Sequence, residues 1–198
     1  MTYLHRDERR QELLEAAVKI ALSDGLGAMT VRRVAQEAQT AAGQIHRLFA
    51  SSSELKAEAF LLSVKQALAL VLESGKQENA SWSEMLRWCL VAETSNEGRQ
   101  YKRLWKEAEV MSHQDEIMLA SVQAATVEWH KTIESIIVNG VESAEFTCKD
   151  NIKDVSWRLL VFSCGMDGIY DLQLQEFSEN NYLRYMDDFI KTNVSMTD

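Results

Sequence analysis

Residues 30–49, TVRRVAQEAQTAAGQIHRLF, contain two short helices and the tight turn that joins them. Thr30 is a residue type that caps a helix N-terminus, and Val31 to Ala38 continues as a helix. Glu37 comes too late to complete a capping box. Gln39 to Ala41 interrupts the pattern, and a second helix spans Ala42 to Leu48. The small or apolar residues Val34, Ala35, Ala38, Ile45 and Leu48 fall where two helices meet at a steep angle. Ala35 is small at the crossing and Ile45 fills the joint, which is the spacing of a helix-turn-helix.

The flanking sequence extends the same architecture. Upstream, Leu13, Leu14, Ala17, Val18, Ala21 and Leu22 repeat at helical spacing, and Gly25 and Gly27 supply a stop. Arg6, Arg9 and Arg10 stand in the first turns, where cations oppose the helix dipole, so they serve either a phosphate or plain solvation. Downstream, six further helices are expected: Leu55 to Leu72, Ser81 to about Thr94, Arg99 to Met111, Glu116 to Val138, Asp150 to Gln175 and Ser178 to Val194. Asn139-Gly140 is read as the stop of the fourth of these. The 198 residues include no proline and only eight glycines, against the ~5% proline of an ordinary protein. Uninterrupted helix suits that composition, and a turn-rich sandwich or barrel does not. The fold class is therefore all-α, with about nine helices.

The formal net charge of −9 is unevenly placed. Residues 1–65 hold nine Lys/Arg against eight Asp/Glu, and residues 66–198 hold twelve against twenty-two. A near-neutral first third beside an acidic remainder suggests two roles in one chain. No apolar run approaches the ~20 residues of a membrane span, and Met1 to Gln11 is charged, so a cytoplasmic protein is expected. Cys89, Cys148 and Cys164 are odd in number and far apart, which suggests neither a disulfide framework nor a metal site. His113 beside Asp115 and Glu116, and His130 with Glu134, bring carboxylates near imidazoles without a convergent ligand set. Cys148, beside Lys149, is the best-placed thiol for a sensor. The chain has no glycine-rich phosphate loop, nucleophile elbow or HExxH, so no enzyme and no cofactor are implied.

Three segments carry a family likeness: SDGLGAMTV (23–31), RRVAQEA (32–38) and AAGQIHRLFASSSEL (41–55). Glu8 to Leu55 resembles the DNA-binding domain of the tetracycline-repressor (TetR) family, with Gly43, Ile45, Phe49, Glu54 and Leu55 at matching places. Four positions depart from its pattern: Gln39 replaces a turn glycine, Ala42 and Ser52 replace lysines, and His46 replaces a tyrosine that reaches a phosphate. Later, GVESAEF (140–146) and FSCGMDGIYDL (162–172) are more loosely similar to the penultimate-helix region of the same family.

The resemblance implies a helix-turn-helix domain over residues 1–52 and a ligand-binding and dimerisation domain over 53–198. It implies a sequence-specific transcriptional regulator, a repressor binding a palindromic operator as a homodimer and answering to a small-molecule effector. In the recognition helix, Ala42 and Gly43 are expected at the DNA, and Gly43, lacking a side chain, allows close approach. Gln44 is suited to an adenine edge, and Arg47 to a guanine edge or a phosphate. Thr40 and His46 suit phosphate, as do Thr30 and Arg32 at the start of the preceding helix. A small-molecule site is expected among the central aromatics and methionines Trp82, Met85, Trp88, Tyr101, Trp105, Met118 and Trp129, a composition fitting an aromatic or cationic amphiphile. The dimer interface is expected from Phe162, Gly165, Met166 and Ile169 on the penultimate helix with Tyr182, Tyr185, Met186 and Phe189 on the last. Residues at such spacings also serve plain core. Two other readings stay open: a helical ligand-binding or adaptor protein with a degenerate DNA-binding domain, and an all-α enzyme with an unrecognised site.

Overall fold

The computed structural model describes residues 6–91 and 96–196, and within them nine helices and one two-residue strand pair. The helices are α1 (Arg6–Asp24), α2 (Val31–Glu37), α3 (Ala42–Leu48), α4 (Ser52–Glu78), α5 (Trp82–Leu90), α6 (Asn96–Ser112), α7 (Glu116–Glu142), α8 (Ile152–Tyr170) and α9 (Glu179–Asn193). Strand β1 (Phe146–Thr147) pairs antiparallel with β2 (Ser195–Met196). The chain forms two compact units, residues 1–66 with 94–126 and residues 67–93 with 127–198.

In the first unit, α1 buries Leu13, Leu14, Ala17, Val18, Ile20 and Ala21, one face of an amphipathic helix. Gly25 closes it at φ +91°, its amide donating to the Ala21 carbonyl at 2.9 Å. This left-handed cap is open to glycine at no steric cost. Arg10 ties α1 to α4: its guanidinium bonds Glu58 at 2.5 Å and lies 4.5 Å from the centre of the Phe49 ring. Phe60 of α4 meets Trp105 of α6 edge to face, with ring centres 5.0 Å apart.

In the second unit the core is built from α5, α7, α8 and α9, with Leu86, Leu90, Ile133, Ile137, Leu159 and Met186 among its buried side chains. Ser163 of α8 donates to the Leu90 carbonyl at 2.5 Å. The Glu145 carboxylate accepts the Trp82 and Ser83 amides at 3.0 and 2.7 Å, satisfying orphan donors at the start of α5.

Several helix ends differ from those expected of the sequence. The fourth helix starts at Ser52, not Leu55, because Ser51 Oγ accepts the Glu54 amide while Glu54 reaches back to the Ala50 amide. It continues to Glu78 and turns at Asn79, φ +51°. Helix α5 ends at Leu90 with Val91 extended, short of Thr94, which lies outside the described residues. Asn139-Gly140 does not stop α7, which runs on to Glu142 and turns at Ala144, φ +60°. Gly140 has a packing reason instead, since a side chain there would collide with the Phe146 ring. Helix α8 spans Ile152–Tyr170 rather than Asp150 to Gln175, starting from an Asn151 cap.

Candidate nucleic-acid interface

Helix α2 starts as expected, with Thr30 Oγ1 accepting the Arg33 amide at 3.3 Å. Gln39 takes the left-handed conformation, φ +49°, and the Thr40 amide donates to the Ala35 carbonyl at 2.8 Å. The turn is therefore formed without a glycine, at a conformational cost on the order of 1 kcal/mol. Ile45 and Phe49 are buried and hold α3 against the domain. Ala42, Gly43, Gln44, His46 and Arg47 are all exposed, so one face of α3 is free from end to end.

The composition of that free face is unusual. Ala42 and Gly43 carry almost no side chain, and a Cβ placed on Gly43 would have no atom within 4 Å. Neither backbone conformation nor packing within the protein requires glycine here, although glycine costs a helix about 0.5–1 kcal/mol relative to alanine.

Charge on this unit is divided between paired and unpaired groups. Arg33 bonds Asp24, holding its carboxyl below the usual range, and Lys19 bonds Glu37. Arg9 and Arg10 pair with Glu12 and with Glu54 and Glu58. Arg32 and Arg47 form no ion pair with the described residues, and both are exposed. Thr30 is exposed at the α2 N-terminus beside Arg32, and Thr40 is half-buried in the turn. A helix with a close-approach surface, a bidentate amide at Gln44 and an unpaired guanidinium at Arg47 is chemically equipped to read base edges in a major groove.

Residues 13–59 match the family model of bacterial regulatory proteins of the tetR family. The chain carries the N-terminal domain of the TetR family. Its fold over the whole length is also that of solved TetR-family structures. A TetR-family transcriptional regulator from Rhodococcus sp. is similar with a TM-score of 0.76 at 19% identity, covering 96% of this chain and 100% of its own. One from Cytophaga hutchinsonii gives 0.74 at 16% identity, covering 99% and 100%. A transcriptional regulator from Saccharomonospora viridis, solved in complex with choline, gives 0.65 at 20% identity, covering 95% and 98%. No curated protein sequence matches the chain. TetR-family regulators are DNA-binding transcriptional regulators with ligand-binding domains.

The other residues expected to act in a TetR-family protein fall into separate places. Of the aromatic and methionine set, Trp82, Met85, Trp88 and Trp129 belong to the second unit, and Tyr101, Trp105 and Met118 to the first. Met85 and Met118 are buried, and the others are half-buried. Trp129 Nε1 donates to the Cys89 carbonyl at 3.0 Å, and burial pushes the Cys89 thiol up to about 12. His130 is buried, stacked on Trp157 with ring centres 4.1 Å apart, Nε2 within 3.2 Å of the Lys153 carbonyl and Nδ1 3.9 Å from Glu134.

The stripe expected to face a second copy divides in two. Met166, Tyr182 and Met186 are buried in the unit's own core, as are Val155 and Leu159, and present nothing to a partner. They lie on the inward side of α8 and α9, where the spacing alone does not separate core from interface. Phe162 and Phe189 stack with ring centres 3.8 Å apart and line a shallow groove with Trp157, Arg158 and Val161. Gly165, Ile169 and Tyr185 are exposed beside it, and so are Val161 at 67% and Leu172 at 64%. Trp157 and Val161, which sequence reasoning missed as surface residues, are four positions apart on one face of α8, and Leu172, missed likewise, lies in the turn just past its end. Their signal was present only as apolar residues out of step with the core stripe.

Among the described residues no helix is long and apolar enough to cross a membrane.

Proposed function

We propose that the protein is a homodimeric, ligand-responsive transcriptional regulator of the cytoplasm, a repressor that binds a palindromic operator. Residues 1–52 act as the DNA-binding domain and residues 53–198 as the ligand-binding and dimerisation domain. The observation that carries this reading is the free face of α3, where Gly43 has no internal reason to lack a side chain. Gln44 and Arg47 read base edges, while Thr30, Arg32, Thr40 and His46 address phosphates. Two such helices related by a two-fold axis require an inverted repeat with half-sites about one helical turn apart.

The exposed apolar face of α8 and α9 supports the dimer. Gly165 and Gly168 also lie in helix interior with no atom within 4 Å of an added Cβ. They allow a second helix to approach between Val161, Ile169 and Leu172. The central aromatics suit an aromatic or cationic amphiphile, and the similar Saccharomonospora viridis regulator holds choline, a quaternary ammonium cation. The effector favours a dimer whose recognition helices no longer match the half-site spacing, a shift set by its differential affinity for the two states.

Selection of duplexes from a random DNA pool at ~100 mM salt tests the reading, in the range where phosphate contacts strongly govern affinity. The expected product is a palindrome, lost with Gln44→Ala or Arg47→Ala. A pool returned without enrichment by a folded dimer, both as prepared and after unfolding, stripping and refolding, refutes the assignment.

A further inference from the structure

Two residues of α6 grip the turn that leads from α1 into the helix-turn-helix. Glu107 Oε2 accepts the Leu26 amide at 2.5 Å, and Arg103 Nη2 donates to the Leu22 carbonyl at 2.7 Å. Both partners are main-chain groups: Leu22 lies in the last turn of α1, where helix geometry leaves carbonyls without an intrahelical bond, and the Leu26 amide follows just past the helix end. Arg103 and Glu107 also lie 3.8 Å apart as an i,i+4 ion pair, so each steadies the other. Gly25, between the two anchor points, turns at φ +91°, and a side chain there would collide with the Glu107 carboxylate. From the same turn, Asp24 bonds Arg33 of α2, and Arg33 also reaches the Ala28 carbonyl at 3.5 Å.

We propose that Glu107 is a positioning residue for DNA reading: by holding the Leu26 amide it sets the direction in which α2 and α3 leave α1. Arg103 supports it from the Leu22 side. This rests on the reading of α3 as the recognition helix. The clasp acts at a distance from the DNA, because the backbone it holds is one short turn from the Thr30 cap and from Arg32. Its bonds go to main-chain atoms, and the one side-chain condition within the turn is that residue 25 carries none. Residues 81 positions apart in sequence are thereby joined, and α6 and α2 both hold the same turn, α6 at Leu22 and Leu26 and α2 at Asp24 and Ala28.

The test compares wild type, Glu107→Ala, Glu107→Gln and Arg103→Ala in the full-length protein. Amide exchange of Leu26 is measured without DNA. Affinity is measured for the duplex that wild type selects from a random pool and for a scrambled duplex of equal length. Faster Leu26 exchange in Glu107→Ala is expected, with affinity for the selected duplex reduced about 2- to 30-fold and scrambled binding unchanged. Glu107→Gln, which keeps an acceptor oxygen, restores both, and Arg103→Ala gives a smaller loss in the same direction. Unchanged exchange in Glu107→Ala overturns the proposal. So does an equal loss on both duplexes with a lower melting temperature, since that is a merely structural role. If wild type itself selects no duplex, the DNA-binding reading has failed and the positioning role falls with it. The Leu26 exchange then still reports whether the clasp exists, so the two failures are distinguishable.

Discussion

Replacing Gly43 by alanine separates what α3 owes to its own protein from what it owes to DNA. Inside the protein the added methyl meets no atom within 4 Å, so no overpacking opposes it. Gly43 is the second residue of a seven-residue helix, where alanine is the better helix former by up to ~1 kcal/mol and, near an end, by about half that. For a domain of this size ~0.5 kcal/mol corresponds to a rise of about 1–2 °C in the melting temperature. Against DNA the same methyl occupies the layer in which backbone and groove touch. The cost is of the order of one mismatched base pair, ~1–3 kcal/mol, or roughly 5- to 150-fold in affinity. Differential scanning calorimetry reads the first effect and a binding titration on the selected palindrome the second. A variant that is more stable and binds less tightly is the expected result. A variant that melts lower refutes the claim of open space around Gly43. One that binds the palindrome as well as wild type refutes close approach at this residue, and the glycine is then without explanation.

Three further predictions follow from the same geometry. Arg47→Ala weakens binding to the selected duplex by ~1–3 kcal/mol while leaving random duplex nearly unaffected; equal losses in paired titrations assign Arg47 to phosphate instead. Because Arg9, Arg10, Lys19 and Arg33 are held by carboxylates and Arg47 is given to a base edge, Arg6 and Arg32, both exposed, are the principal cations for phosphate. At about two per protomer, the slope of log affinity against log salt is about −4 for a dimer; a slope near −11 means that the paired cations release their carboxylates and engage the DNA. Val161→Glu, at a site 67% exposed in one chain, leaves the melting of the protomer's core intact but gives a monomer in sedimentation; a dimer that survives places the interface elsewhere.

The helices were legible because each is written in local chemistry. Thr30, Ser81 and Ser178 announce helix starts through the same oxygens that accept amides in the structure. The joint at Ile45 is visible from spacing alone, since two short helices around a tight turn have few ways to meet. What local chemistry could not decide was where a helix stops when the competing reason is tertiary. Gly140 reads as a terminator, yet it is kept for the ring of Phe146, six residues away around a turn. Gln39 is the converse case. A residue that disfavours the left-handed turn adopts it, because burial of Val34, Ala35 and Ile45 on either side fixes the two helices.

The candidate site divides along the same line. The proposed reading face of α3 is a property of seven consecutive residues, and each of the five expected to contact DNA there is exposed. The proposed interface face of α8 was only half legible, because apolar residues at three- and four-residue intervals occur on both its sides. Met166 points into the core and Val161 away from it, a distinction made by what α9 covers rather than by residue type. The Glu107 clasp had no sequence signal at all: a glutamate at 107 and a glycine at 25 become related only when α6 packs on α1. In the proposed reading the base-reading chemistry lies in one short segment, whereas the groups proposed to aim it are scattered and are recognised by the backbone atoms they hold. On that reading, substitutions that alter operator choice are expected to concentrate in α3, and substitutions that weaken operator binding without changing the choice are expected as far away as α6.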